Sequence, residues 1–541
     1  MKRIFCLVIS FILFSTLIVA QSVGINTNEP HTSAILDIKS STKGLLIPRT
    51  STISRIDIVN PAKGLMLYDT TTSSVWFHNG YAWMQLSVGS NGWNLTGNAV
   101  TNPATNFIGT TDEQSLRFKV NNTWAGELHP TSGNVFLGLD AGNSSTAGQA
   151  NSSFGDHALF AITDGNFNSA NGYFALAANT SGYNNTGQGA YALYNNTSGF
   201  SNTALGRNSL FANIIGAFNT AIGADALLNN TGSYNSATGY QAAYSNATGS
   251  FNTSNGSSAL YSNTGGSYNT ANGYQALKNN VNGLSNTASG KETLYNNKDG
   301  SYNTANGTDA LHNNTEGSYN TAIGNNALYN NFTGRDNTGI VNSVLSGNAA
   351  GNYNTAIGGS ALLTNQNGSN NTAIGYLALS SNSNGSNNAA IGYGADVSTV
   401  VINATAIGSG AIVNASNKVR IGNSSVTAIE GQVAYSFPSD ARFKYNIKSN
   451  VPGLDFIKKL TPVTYYFDDK KLDAFSKTGI INNSISVSAS GDTEKQLHTG
   501  FLAQEVEKIA GELGYEFDGV HAPVNDNDHY SLAYSQFIMP L

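Results

Sequence analysis

The chain has 541 residues, of which only 11% are charged, and its formal net charge is -6. It has no basic run, so it lacks the electrostatic footprint of a nucleic-acid-binding protein. This length exceeds what one hydrophobic core usually covers, so we expect two or more structural units.

The N-terminus has the layout of a secretory signal peptide. Lys2 and Arg3 precede an apolar run that ends at Ala20. The run is shorter than the roughly 20 apolar residues of a spanning helix, which argues against the alternative of a membrane anchor. We therefore predict a signal peptide over residues 1–20 and export of the mature chain to the cell surface or the extracellular space.

The single cysteine, Cys6, lies inside this signal segment. Its removal excludes disulfides, cysteine nucleophiles and thiolate metal sites from the mature chain. No cofactor motif and no metal-ligand spacing is found elsewhere, so neither a cofactor nor a metal is expected.

Residues 21–90 indicate a small N-terminal β module, followed by a connecting β segment over 91–133. Asn79-Gly80 between aromatic runs predicts a tight hairpin. Three motifs in this module, Ala34–Ile38, Lys43–Arg49 and Gly64–Asp69, resemble the N-terminal region of secreted fibre-like proteins of Gram-negative bacteria.

Residues 134–412 repeat the pattern N-T-A-x-G-x-x-A-L-x-x-N-x-x-G about every 17 residues. The spacing holds from Asn202 to Asn219 and contracts by one residue at Asn235. A unit this short and this rich in Gly, Asn and Thr disfavours helix, so each unit should be a strand-turn-strand coil of a β-solenoid. Small residues and Leu would form a thin core, asparagines would stack as ladders, and the rod would be about 80 Å long.

The N-T-A-I-G units at Asn320–Gly324, Asn354–Gly358 and Asn371–Gly375 resemble the head repeats of trimeric autotransporter adhesins. That resemblance implies a β-roll assembled from three chains. A thin rod buries little apolar area per residue, which independently favours association. The expected partners are therefore two further copies of the chain, and a host glycan or surface protein as ligand of the rod.

After a neck over residues 413–438, the composition changes and an α+β domain is expected over residues 439–541. We predict a short helix over Pro452–Leu460, a strand over Val463–Phe467, and an amphipathic helix over Phe501–Leu513. The buried face of that last helix should carry Leu502, Val506, Ile509 and Leu513.

Two separated motifs of this domain, Ser439–Lys444 with Asn446-Ile447, and Gly500–Glu505, resemble the intramolecular chaperone domain of serine peptidase family 74. The family guides β-rich fibres into trimers and then cuts itself off. The resemblance implies that Ser439 is the nucleophile, Lys444 is its base, and the cut falls between Pro438 and Ser439. Relatives usually continue beyond the position of Leu541, so the domain is expected to be short at its C-terminus.

A neutral lysine can take the proton of a serine hydroxyl if burial or a neighbouring cation lowers its pKa. Arg442 is close enough in sequence to be that cation. A spacing of five places Ser439 and Lys444 on different faces of a helix or strand, so a turn must join them, or they meet across protomers. Gln504 and Glu505 match the second motif, where a helix-starting structural role is favoured over catalysis.

Three alternatives remain at the level of the sequence. Ser439 could merely cap a turn, with Lys444 solvated. The domain could be an uncleaved trimerisation clasp, or the fibre could carry a polysaccharide-degrading activity that needs two facing carboxylates. One dense histidine–acid group, formed by His521, Asp526, Asp528 and His529, lacks a recognised metal spacing and is expected to be a solvated polar loop.

Overall fold

The computed structural model describes residues 22–86, 101–102, 104–433, 436, 438–476 and 497–541. The predicted signal peptide, residues 1–20, lies outside them. The chain divides into two compact units, Met1–Gly109 and Thr110–Leu541. No helix in the described part of the chain is long and apolar enough to cross a bilayer.

The first unit is a small module of short strands. β1 pairs in parallel with β2, β3 pairs in parallel with β4, and β4, β5 and β6 form an antiparallel meander. The predicted hairpin joins β5 to β6 through Asn79 and Gly80, whose φ of 102° suits glycine. The elements are β1 (Val23–Ile25), β2 (Leu36–Ile38), β3 (Arg49–Thr50), α1 (Thr52–Ile56), β4 (Met66–Asp69), β5 (Ser74–His78) and β6 (Trp83–Gln85).

A buried ion pair anchors α1 to this meander. Arg55 Nε donates to Asp69 Oδ2 at 2.9 Å, and the guanidinium lies 3.7 Å from the centroid of the Trp76 ring. Burial opposes ionisation of Asp69, but hydrogen bonds from Thr52, Arg55 and two backbone N–H groups outweigh it and lower its pKa to about 2.

The second unit begins with an antiparallel hairpin of β7 (Leu116–Val120) and β8 (Thr123–Leu128), which leads into a parallel ladder. From β9 onward each strand pairs with the equivalent strand of the next coil, up to β28. Two shorter strands, β25 (Asp396–Val397) and β27 (Ile412–Val413), pair with each other beside it. The ladder strands are β9 (Val135–Leu137), β10 (Ser152–Phe154), β11 (Ser169–Asn171), β12 (Thr186–Gln188), β13 (Thr203–Leu205), β14 (Thr220–Ile222), β15 (Ser236–Thr238), β16 (Thr253–Asn255), β17 (Thr270–Asn272), β18 (Thr287–Ser289), β19 (Thr304–Asn306), β20 (Thr321–Ile323), β21 (Thr338–Ile340), β22 (Thr355–Ile357), β23 (Thr372–Ile374), β24 (Ala389–Ile391), β26 (Thr405–Ile407) and β28 (Val419–Ile421).

The β-solenoid is confirmed, with one difference inside each coil. A coil holds a single three-residue strand instead of strand-turn-strand, because its second side contains residues such as Asn208 and Leu210 with φ of 56° and 53°. These left-handed conformations cannot continue a strand. The coils still bond to each other there, since the Leu210 N–H donates to the Ala226 carbonyl at 3.0 Å. The ladder also continues past residue 412, into the predicted neck, as far as Ile421.

The core of the rod is as thin as predicted. The middle residue of each strand, usually Ala, points inward, and Leu210, Leu227 and Leu260 are fully buried on the opposite side. Buried asparagine ladders flank this core. Asn219 accepts the backbone N–H of Asn235, one coil later, through Oδ1 at 3.0 Å. A second ladder runs beside it, so most buried amides in the coils are satisfied by the neighbouring coil.

An apolar stripe follows the outward-facing third residue of the ladder strands. In the later coils it consists of isoleucines that are close to 40% exposed, such as Ile357 at 39% and Ile374 at 40%. In the middle coils this position is polar, as at Asn255, Asn272 and Asn306. A repeated apolar row of this kind is typical of a surface that meets another protein.

The C-terminal domain is an α+β unit whose core is formed by Phe456, Val506, Ala510, Phe517 and Phe537. β29 and β30 pair antiparallel, as do β31 and β32. The elements are a 3-10 turn (Ala441–Phe443), α2 (Leu454–Ile457), β29 (Val463–Tyr466), α3 (Asp469–Ser476), β30 (Leu497–Gly500), α4 (Ala503–Glu512), β31 (Val520–His521), β32 (Ser531–Leu532) and a second 3-10 turn (Tyr534–Ile538).

The predicted strand and both predicted helices of this domain are present, and both helices are shorter than predicted. On α4 the buried residues are Val506 and Ala510, with Ile509 and Leu513 packed against them. Leu502 is 46% exposed, because α4 begins only after it and its side chain leaves the predicted face.

Candidate functional site

The residues predicted to cut the chain lie in one exposed turn at the start of the C-terminal domain. The 3-10 turn begins after Asp440, whose Oδ1 accepts the backbone N–H of Arg442 at 2.9 Å. Lys444 leaves this turn in an extended conformation, with φ of -105°. The turn brings the two side chains together, and Lys444 Nζ donates to Ser439 Oγ at 2.7 Å.

Arg442 is held in the turn by its contact with Asp440. Its Nε and Nη2 donate to Asp440 Oδ2 at 2.9 Å and 2.5 Å. The Arg442 guanidinium lowers the pKa of the Asp440 carboxyl, and this carboxylate in turn raises the pKa of Arg442. Arg442 therefore stabilises the conformation of the turn, while its charge is matched by Asp440.

Gln504 and Glu505 lie in the first turn of α4, where both are exposed. A carboxylate in the first turn of a helix interacts favourably with the helix dipole. In the described part of the chain, no hydrogen bond joins either residue to Ser439 or Lys444. This placement suits the structural role that the sequence favoured for them.

The distance between Lys444 Nζ and Ser439 Oγ suits proton transfer. The lysine must first lose its own proton, which burial promotes. Both residues are exposed within a single chain, and so is Pro438. Within one chain the pair is therefore assembled but open to water.

In the rod, the structure brings Glu292, Asp309 and His312 together across two adjacent coils, with their potential ligand atoms within 4.8 Å of one another. His312 Nε2 lies 3.7 Å from Glu292 Oε2, and Lys291 Nζ pairs with Glu292 Oε1 at 3.2 Å. Glu292 and Asp309 are 17 residues apart, so the repeat spacing, which stacks equivalent positions of adjacent coils, was the signal that could have indicated this pairing.

The prediction of a solvated polar loop near the C-terminus is wrong for Asp528. Asp528 is buried, with no exposed side-chain surface, and accepts hydrogen bonds from Lys418 and His521, both at 2.8 Å. Lys418 belongs to the last coil of the rod, 110 residues earlier. The cluster of histidines and acids in the sequence drew attention to Asp528, but no local sequence pattern indicates Lys418 as its partner.

Comparison with known families adds two matches. Residues 24–103 match the model of a phage tail like trimerisation region, and residues 439–515 match that of a chaperone of endosialidase. No curated protein matches the chain. The second match begins at Ser439 and includes Lys444, Gln504 and Glu505. A trimerisation region before the solenoid and a chaperone domain after it fit a trimeric fibre that carries its own intramolecular chaperone.

Proposed function

We propose that the protein is an exported, trimeric, adhesin-like fibre whose C-terminal domain assists assembly and then cuts the chain once, between Pro438 and Ser439. The observation that carries the cut is the 2.7 Å contact between Lys444 Nζ and Ser439 Oγ. Export rests on the signal-peptide pattern of residues 1–20, and adhesion rests on the repeat pattern and the exposed side chains of the rod.

The cut would proceed by an N-to-O acyl shift. A neutral Lys444 takes the proton of Ser439 Oγ, which attacks the carbonyl carbon of Pro438. The peptide bond to the Ser439 nitrogen breaks, that nitrogen takes the proton back from Lys444, and an ester joins Pro438 to Oγ. Water then hydrolyses the ester, leaving a carboxylate on Pro438 and a free amine on Ser439.

The exposure of the pair in a single chain supports a dependence of the cut on assembly. Ser439 and Lys444 are exposed in one chain, so a neighbouring protomer is the surface that could bury them. Burial disfavours the charged form of a lysine and so supplies the base that the reaction needs. The cut should therefore follow trimer formation, and it occurs once for each chain.

The test is to express residues 21–541 as the parent, as Ser439→Ala and as Lys444→Met, and to measure intact masses and native size. Loss of a fragment that begins at Ser439, in the parent alone, supports the proposal. Ser449→Ala and Lys448→Met are matched controls, because both residues are exposed in the same domain. A parent protein that forms a trimer of uncut chains would refute the cut and leave the domain as a trimerisation clasp.

One observation favours a second candidate function, a polysaccharide-degrading activity on the rod. One carboxylate oxygen of Glu292 and one of Asp309 lie within 4.8 Å of each other. Retaining glycosidases place their two carboxyl groups about 5 to 5.5 Å apart. Turnover of a glycan by the purified rod, abolished in Glu292→Gln, would support this activity, whereas glycan binding without turnover supports the adhesin.

A further inference from the structure

The C-terminal domain touches the rod at a defined place. Its loop over residues 524–529 lies against the last coil, where Asn414 Nδ2 donates to the Asn527 carbonyl and Lys418 Nζ donates to Asp528 Oδ1 at 2.8 Å. Lys418 directly precedes β28, the last strand of the ladder. The contact is therefore at the end of the solenoid.

Asp528 is the centre of this contact. Besides Lys418, it accepts hydrogen bonds from His521 Nε2 at 2.8 Å and from the backbone N–H groups of His529 at 2.9 Å and Val524 at 3.3 Å. Burial opposes the charge, but these hydrogen bonds hold the pKa of Asp528 well below its usual range. The buried carboxylate is thus an anion that the domain places against a cation of the rod.

Removing one member of a buried ion pair leaves the other charge without compensation, which is strongly unfavourable. Lys418 is 24% exposed in the docked state and Asp528 is fully buried. Separation of the domain from the rod would give up this ion pair. The loop and the coil are therefore joined by a specific pair of opposite charges.

The two partners lie on opposite sides of the proposed cut. Lys418 and Asn414 precede Pro438, whereas Asn527 and Asp528 follow Ser439. We propose that the fragment beginning at Ser439 stays bound to the last coil after the cut, held by Asp528 on Lys418. The cut then replaces a covalent connection with a noncovalent cap on the rod. This inference rests on the proposed self-cleavage.

A retained cap has a physical use. The last coil of a solenoid has no further coil to cover it, and repeat proteins need terminal caps with polar outer surfaces. The docked domain contacts this last coil through Asn527 and Asp528. A fragment that left after cutting would expose the end of every rod.

The experiment uses the full chain after self-cleavage is complete, with size-exclusion chromatography and mass analysis of the rod peak. In the parent, the fragment should elute with the rod. Lys418→Met should raise the dissociation constant of the fragment from the rod by at least about tenfold, so that the two pieces separate. Lys418→Arg, which keeps the charge, and Lys298→Met, elsewhere on the rod, should retain the fragment. A cut parent whose fragment elutes alone overturns the proposal.

A second preparation separates this outcome from a failure of self-cleavage. A recognition sequence for a specific protease is placed between Glu430 and Ser439 in the Ser439→Ala chain, and the added protease makes the cut. Retention is then measured in the same way, with and without Lys418→Met. Loss of the fragment in this preparation refutes the cap, whatever the parent does, and retention that Lys418→Met leaves unchanged refutes the role of the ion pair.

Discussion

Several residues in each coil adopt the left-handed backbone conformation, and most of them are not glycine. Asn208, Leu210 and Phe218 have φ of 56°, 53° and 58°. Such conformations are uncommon for a residue like leucine. They persist because Leu210 is fully buried and its backbone bonds to the next coil. The sequence predicted that these leucines form part of the core. It did not predict their left-handed backbone conformation, because tertiary packing outweighs the local conformational preference of leucine here.

One coil places valine where the others have glycine. Val341 has φ of 101°, and its neighbours in the column, Gly324 and Gly358, have φ of 134° and 131°. Because positive φ strains a β-branched residue, Val341→Gly should stabilise the rod by on the order of 1 kcal/mol. Thermal unfolding followed by circular dichroism measures this change in stability. Gly324→Ala should do the opposite, since its Cβ would lie 2.5 Å from the Val341 carbonyl oxygen.

A buried carboxyl gives the rod a pH-dependent stability. Burial raises the pKa of Asp396 to about 7, against hydrogen bonds from Val397, Ser381 and Ser380. The folded state therefore holds a proton more tightly than the unfolded state. The stabilisation of the folded state by protonated Asp396 is complete below the unfolded pKa of about 3.9. It is lost as the pH rises to about 7.

Asp396→Asn should remove this loss. The variant should be more stable than the parent near neutral pH, and the difference should shrink as the pH falls towards about 4. Denaturation with urea across that range gives the free energy of unfolding. Asp336→Asn, at an exposed position, should not change the pH dependence, and an equal advantage at all pH values would contradict the explanation.

At the scale of the element, the repeat predicted most of what the structure shows. The small and leucine positions form the core, and asparagines stack as expected. For Ser439 and Lys444, the sequence predicted only that a turn or a second protomer must bring the two side chains together, because a spacing of five cannot do so on a helix or strand. Its detail depends on Asp440 and Arg442, whose pairing no periodic pattern indicates. The contact of Lys418 with Asp528 is beyond sequence reasoning, because two domains meet there.

The asparagine ladders should be sensitive to single substitutions. Asn297 donates to Asn280 Oδ1 at 2.7 Å and to the Gly300 carbonyl at 2.8 Å, and it accepts from Asn314 at 2.7 Å. Asn297→Ala leaves these buried groups unpaired and should cost roughly 1 to 3 kcal/mol. Urea denaturation measures the loss. Asn325→Ala, at an exposed position, should cost little, and equal losses would show that the ladder adds nothing specific.

At the scale of the whole molecule, the trimerisation region and the apolar stripe both favour association of copies. The stripe is apolar in the later coils, where Ile357 and Ile374 lie, and polar near Asn272. Contact between copies through the stripe would therefore be strongest away from the middle of the rod. The chaperone domain follows directly after these later coils, close to where copies would have to be aligned.

Charges placed in the stripe should break the assembly. The double change Ile357→Asp and Ile374→Asp would put unpaired carboxylates in an apolar contact, which is costly. We expect a shift from trimer towards monomer in light scattering, at micromolar concentration. Asn272→Asp occupies the same strand position in a polar coil and should leave the trimer intact. A trimer that survives the double change would place the contact elsewhere.

Along both buried ladders, the side-chain oxygen of an asparagine accepts a hydrogen bond from the asparagine one coil later. Asn219 donates its backbone N–H to Asn202, and Asn314 donates its side-chain N–H to Asn297, in each case to the preceding coil. A completed coil therefore presents a row of oxygens towards the residues that follow it in synthesis. The rod is therefore polar along its axis, and each folded coil offers these acceptors to the coil that is synthesised after it.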